Sequence, residues 1–257
     1  MGLTGGRWGL VWLMIATVFV WQGIFLEEAG GRLVFWPEGE DNLFIQTKEG
    51  GQVLVNGGGD REILKRLGQE MPAGDKELDL VILTSLAEDH LAGLISVLEN
   101  YKVAHILWSG GVVEGPLFRA WEDCLAAEGA EIIIAQAGRK IALGSAFLEV
   151  LAPRENLYRR QLENSEEGEI VWKMGEGELS FLFLGQIPSQ SLAVLEKNEL
   201  EAEIVEAHYL QEILPWSFWS NLSPSLVVVS GAFSEENFLS EISLRQTERE
   251  GKIVINF

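Results

Sequence analysis

"LDLVILTSLAEDHLAGL" (Leu78–Leu94) decides how this chain folds. The first half, "LDLVILTS", is a nearly continuous apolar run of the kind found in a strand buried on both faces, whereas "DHLAGLISVLEN" (89–100) spaces its apolar residues at helical intervals. A strand that passes into a helix across a short polar joint is the unit step of an alternating α/β domain. The joint carries Asp89 and His90, and His90 is one of only three histidines in 257 residues. A carboxylate and an imidazole at such a junction are residue types that ligate divalent metals.

Moving outward, three short β-like runs precede this stretch: "RLVFW" (32–36), "NLFIQT" (42–47) and "QVLVN" (52–56), separated by turn residues. They predict an antiparallel meander, followed by a helix in "REILKRLGQEM". After it come a strand in "VAHILW" and a helix in "GPLFRAWEDCLAAEG", with Pro116 suited to the first turn and Gly129 to the C-terminal cap. The middle is strand-rich again, with "EIIIAQ", "KIALG" and "AFLEVLAP", then a polar insertion over 157–168. "EIVWKMG" and "ELSFLFLG" follow, with a hairpin turn around Gly177 and Glu178. A helix at 188–198, a strand in "AEIVEAH", a helical segment over 211–221, a strand in "SLVVVSGA" and a final helix and strand complete the pattern. Strands come first and αβ units second in both halves, with no linker between them. One sandwich of two sheets flanked by helices is therefore expected rather than two domains.

Composition narrows the function classes. With 39 acidic against 19 basic residues the formal charge is −20, which repels phosphate polyanions and makes nucleic acid a poor partner. The single cysteine, Cys124, excludes an intramolecular disulfide and a thiolate zinc cluster, and its helical spacing makes it a small core residue. From Trp8 to Leu26 no residue is charged, a length that nearly spans a bilayer core, with Trp8, Trp12 and Trp21 toward the ends. "IFLEEAGG" offers no small-x-small cleavage site, so the stretch reads as an uncleaved anchor rather than a signal peptide. Arg7 before it and Glu27 and Glu28 after it orient the chain. Residues 1–7 are expected in the cytoplasm, 8–26 in the membrane and the domain 27–257 outside the cytoplasm.

The order of these blocks resembles the metallo-β-lactamase fold, and more narrowly the soluble domain of ComEC-type DNA-uptake (competence) proteins. The fold expected from the resemblance is α/β, an αββα sandwich behind one transmembrane helix. "NLFIQTKEGGQVLVNGGGD" is similar to the family's opening hairpin, which ends in an aspartate before glycines. "LDLVILTSLAEDHLAGL" is similar to its metal-ligand loop, "ENSEEGEIVWKMGEGELSFLFLGQI" to a block ending in Gly-Asp, and "EIVEAHYL" to its last histidine turn. "RQTEREGKIVI" looks like its closing hairpin. The resemblance implies metal ligands at Asn56, Ser85, Ala87, Asp89, His90, Gln186 and His208. Asn56, Ser85, Ala87 and Gln186 are former ligand positions holding side chains that replace carboxylates or imidazoles, whereas Asp89, His90 and His208 retain donors.

Two readings follow. In the first the chain keeps the architecture, carries no cofactor and is a non-catalytic pseudoenzyme that acts in binding or assembly with a protein partner. Asp89 then caps and charge-stabilises its helix, while His90 and His208 are hydrogen-bonded polar groups in a cleft. In the second, Asp89, His90 and His208 hold a single Zn²⁺ with water in the fourth position, giving a hydrolase of phosphodiesters. His105, inside "VAHILW", reads as a strand histidine rather than a ligand. "NGGGD" lacks the Lys-Ser/Thr of a phosphate loop, and no G-x-S-x-G elbow frames Ser85. "LPWSFWSNL", with Trp216, Phe218 and Trp219, is either core packing or a docking loop for the membrane or a partner.

Overall fold

Alternation with a period of two governs both sheets of this protein. The computed structural model describes residues 30–37, 41–186, 195, 200–208, 218–219, 222–230 and 242–257, the side chain of His208 excepted. In β1 (Arg32–Phe35), β2 (Leu43–Gln46) and β3 (Gln52–Val55), Leu33, Phe35, Leu43, Ile45, Val53 and Val55 face one core, while Val34, Phe44 and Leu54 face another. The first set lies between the two sheets; the second is covered by helices α1 (Glu62–Glu70), α2 (Glu88–Asn100) and α3 (Pro116–Ala127).

The three opening strands pair antiparallel as expected, and β3 then pairs in parallel with β4 (Glu77–Ile82), β5 (Lys102–Trp108) and β6 (Glu131–Ile134) in turn. The second sheet repeats this plan. β7 (Lys140–Leu143), β8 (Ala146–Ala152), β9 (Val171–Glu176) and β10 (Leu179–Phe183) are antiparallel, and β11 (Ile204–His208), β12 (Leu226–Ser230) and β13 (Ser243–Gln246) continue in parallel. A two-residue turn joins β9 to β10, with Gly177 at φ 65°, a conformation that glycine adopts without cost. Among the described residues each sheet has seven strands; with β14 the last strand (Ile253–Asn256), the orders are β14-β1-β2-β3-β4-β5-β6 and β13-β12-β11-β10-β9-β8-β7.

Trp172, Met174, Phe181, Phe183 and Val228 of the second sheet meet the first sheet's inner residues, Trp172 and Phe183 stacking with centroids 3.8 Å apart. Outward-facing Val171, Leu182, Val205, Val227 and Val229 pack with Leu200, Trp219 and Leu222. The result is the αββα layering, with Gly31–Phe257 a single unit.

Two expectations change, and two readings are sharpened. The closing segment is no hairpin: β13 belongs to the second sheet, a one-turn helix α4 (Thr247–Glu250) follows, and β14 (Ile253–Asn256) crosses to pair with β1 of the first sheet. Charged Arg245 and polar Gln246 had hidden β13, which the parallel register with β12 imposes from outside its own sequence. Gly129 does not cap α3, which ends at Ala127 with Glu128 as the cap. Trp219 is core, 3% exposed, because its ring fills the outer layer. Cys124 is only partly buried against the helical core. Trp216 and the expected anchor 8–26 lie outside the described residues; among the described residues no helix is long and apolar enough to cross a membrane.

Candidate functional site

Of the expected ligand positions, Asn56, His90 and Gln186 are linked, with Thr84 between them, at the ends of β3, β4 and β10. The "NGGG" stretch explains how. Gly57 and Gly93 lie backbone to backbone, with Gly57 N–H donating to His90 O at 3.0 Å and Gly93 N–H to Gly58 O at 2.8 Å. A Cβ on Gly57 would collide with the main chain at Leu94, and one on Gly93 with Gly57 O. Glycines here serve close approach of strand loop to helix, not phosphate binding. They fix the first turn of α2, and with it His90, against the end of β3.

One half of the site is neutral. Asn56 sits at φ 54°, a left-handed conformation that asparagine tolerates, and its side chain is buried. Its Nδ2 donates to Asp41 O at 3.3 Å and Thr84 Oγ1 at 3.0 Å, and its Oδ1 accepts Thr84 N–H at 2.9 Å. His90, fully buried, places Nδ1 3.4 Å from Thr84 Oγ1 and Nε2 3.4 Å from Gln186 Nε2. With Gln186 Nε2 as the donor, His90 Nε2 is the acceptor, which is the tautomer that puts the ring proton on Nδ1. Ser85 Oγ donates to Ser165 O at 3.4 Å and accepts Ala87 N–H at 3.3 Å. Ala87 is the N-cap residue of α2.

The other half is acidic and went unnoticed in the sequence. Glu206 sits on β11 between Val205 and Ala207, which face outward, so its carboxyl points between the sheets. Ser230 ends β12 with the inward parity of Val228. Its hydroxyl contacts Asp41 Oδ1 at short range and Glu206 Oε1 at 2.8 Å. One hydroxyl proton cannot serve two carboxylates. If Ser230 donates to Asp41, the proton between Ser230 and Glu206 comes from Glu206 itself. Burial, then the nearby Asp41 charge, pushes the Glu206 pKa well above the ordinary range, in keeping with a protonated carboxyl. Glu169, also buried, is raised for the same two reasons, against the opposing Gln186 backbone N–H and the Thr84 and Ser85 hydroxyls. Strand parity was the signal that would have found Glu206, because it alternates with outward-facing valine and alanine.

Of the three retained donors, Asp89 is exposed to solvent in the first turn of α2 while His90 is sealed inside. Asp89 therefore acts through the helix dipole and is no side-chain cap, since Ala87 occupies the cap position and no side chain bonds there. His208 ends β11 in register with Ser230, and its side chain is outside the described set. Among the described residues no group of three or more His, Cys, Asp or Glu side chains is arranged to hold a metal ion. His105 lies on β5 and bonds Asp79 O at 3.0 Å, away from the site.

Two mixed sheets with flanking helices define the metallo-β-lactamase fold, and solved structures agree. The chain is similar to the metallo-β-lactamase fold protein YhfI from Bacillus subtilis, with a TM-score of 0.59 and 11% identity over 88% of this chain and 99% of that one. It is similar to Tm1679, a metal-dependent hydrolase of the β-lactamase superfamily, with a TM-score of 0.56 and 14% identity over 88% and 100%. It is also similar to CmlA, a diiron β-hydroxylase from Streptomyces venezuelae, with a TM-score of 0.55 and 12% identity over 89% of this chain. The chain spans about half of CmlA, 54% of its length. No protein-family model and no curated protein sequence matches the chain.

Proposed function

We propose that the chain is a membrane-anchored, ComEC-like module of metallo-β-lactamase fold that has lost metal catalysis and acts in binding or assembly. One observation carries this reading: the lone pair of His90 Nε2 faces the Gln186 amide rather than open space. A ligating imidazole needs that lone pair free. The neighbouring positions support the same view. Asn56 is occupied on both atoms of its amide, Ser85 is bound to backbone, Ala87 has no donor, and Asp89 faces solvent away from His90. Two buried glutamates, Glu169 and Glu206, lie close by, their pKa values pushed well above the ordinary range by burial and then by the Asp41 charge. With Asp89 in solvent and His90 sealed inside, the donor set does not fit a metal-bound water. The uncharged stretch 8–26 supplies the anchor, and the acidic balance argues against nucleic acid as the partner.

The test is elemental analysis of the full chain purified from zinc-supplemented culture, together with hydrolysis of bis(p-nitrophenyl) phosphate. Metal well below one per chain and turnover at the level of the blank are expected. Stoichiometric zinc with turnover, both lost in His208→Ala, would overturn the reading in favour of a one-zinc hydrolase.

A further inference from the structure

Beside the site, on the outer side of the loop that carries Ser85 and Ala87, lies an open groove of about 450 Å³. Its floor is apolar: Leu86, Leu91, Phe118 and Leu162 belong to the helical core, and partly exposed Val113 and Leu117 extend it toward solvent. Its rim is acidic. Glu88, Glu114 and Glu163 all line it and are exposed, and among the described residues no lysine, arginine or histidine does.

The far wall is the polar insertion, which is built rather than draped. Gln161 forms a parallel bridge with Val112, flanked by Val112 N–H to Arg160 O and Leu162 N–H to Val112 O, both 2.8 Å. Asn164 then caps a 3₁₀ turn, Ser165–Gly168, by accepting from the N–H groups of Glu166 and Glu167 at 3.0 and 3.1 Å. The near wall is made by the starts of α2 and α3, neither of which has a side-chain cap, so first-turn N–H groups remain for an acceptor.

We infer that this groove binds a basic amphipathic peptide segment of a partner protein. The three features ask for three kinds of group at once: an aliphatic or aromatic side chain for the floor, lysine or arginine for the rim, and backbone carbonyls for the helix starts. A peptide supplies all three. A simple polyamine lacks the apolar part and the carbonyls, and an anionic ligand meets the three rim carboxylates and a chain charge of −20. The inference rests on the binding-module reading and names the class of its partner, and it is tested without reference to metal.

The probe is a fluorescein-labelled twelve-residue peptide of alternating paired leucines and lysines, titrated into the full chain by fluorescence polarisation. Three reference ligands accompany it: the same peptide with every lysine replaced by glutamate, an all-lysine peptide, and spermine. Because the whole chain is acidic, the decisive comparison is between two triple variants of equal charge. Glu88→Lys, Glu114→Lys and Glu163→Lys reverse the rim; Glu178→Lys, Glu201→Lys and Glu248→Lys reverse exposed glutamates that do not line the groove. The rim variant is expected to weaken the amphipathic peptide by about tenfold or more, and the remote variant by far less. Leu117→Ser, a neutral change at a partly exposed floor position, weakens that peptide while leaving the all-lysine peptide unchanged. Equal losses in both triple variants, or all-lysine peptide or spermine binding as tightly as the amphipathic peptide, would overturn the proposal. If the chain proves to hold stoichiometric zinc, the module reading fails while this comparison still reports on the groove.

Discussion

The two halves of the buried site solve opposite problems with the same backbone. In the Asn56–Thr84–His90–Gln186 half, amides, a hydroxyl and a neutral ring offer matched donors and acceptors. In the Asp41–Ser230–Glu206 half, with Glu169 close by, carboxyl oxygens outnumber the hydrogens available to them. In the first half the Asn56 amide and the Thr84 backbone and hydroxyl satisfy one another with no carboxyl among them. The second half is stable only while it keeps extra protons, because adjacent buried carboxylates cannot all ionise. The comparison teaches that amides and a hydroxyl quiet one side of the cleft while the carboxyls of the other must share protons.

The comparison breaks most severely where the neutral half is assembled, at the contact of α2 with the end of β3. Gly93→Ala puts a methyl group into Gly57 O, and neither side is a flexible side chain, so a loss of about 3 kcal/mol or more is expected in urea denaturation. An unchanged midpoint would show that the glycine contact does not hold the His90 helix against the end of β3. Next comes Asn56→Asp, which restores the carboxylate that the resemblance implies. It removes the donor to Asp41 O and Thr84 Oγ1 and adds a charge near Asp41, for an expected loss of about 1–3 kcal/mol by the same measurement.

The acidic half is sharpened by pH. Glu169 and Glu206 have folded-state pKa values above their ordinary 4.5, so the folded chain holds these protons more tightly than the unfolded chain does. The stability they contribute is fully present below about pH 4.5 and drains as pH rises through their folded values. Glu206→Gln keeps a donor for Ser230 and cannot ionise. Its stability relative to the parent is therefore expected to improve steadily from pH 5 to 8 in denaturation curves; parallel curves would refute the proton assignment. The smallest effect is of opposite sign. Glu250 is lowered by its hydrogen bonds from Arg245, at 2.9 and 2.7 Å, so its contribution is present above pH 4.5 and lost below it. On this exposed pair Arg245→Met should cost only a few tenths of a kcal/mol at pH 7, and less in acid.

Much of the fold was legible because burial imposes a period. Alternation in "RLVF" and "LFIQ" and the continuous run ending at Ile82 reveal strands with one or two buried faces, and the two-residue turn after Glu176 reveals a hairpin. The strand 243–246 was not legible, since Arg245 and Gln246 satisfy a ladder set by β12 rather than a pattern of their own. In the site, His90 and Gln186 stood out as residue types, and the structure brings them together. Asp89 stood beside His90 in sequence, yet the two are a helical step apart and point to different media. Glu206 and Asp41 escaped notice because a lone acid in a strand or turn looks solvated until the opposing sheet is known.

The crossing of β14 to β1 also governs how the molecule is assembled. Arg32 lies opposite Asn256 and Phe35 opposite Ile253, so β1 is covered by an edge strand made more than two hundred residues after it. Until residues 253–256 have been synthesised, β1 offers an unpaired ladder to any passing strand, its own kind included. Nascent chains at this stage are the ones in need of a chaperone, and a shortened chain lacking that last strand would clump rather than merely lose stability.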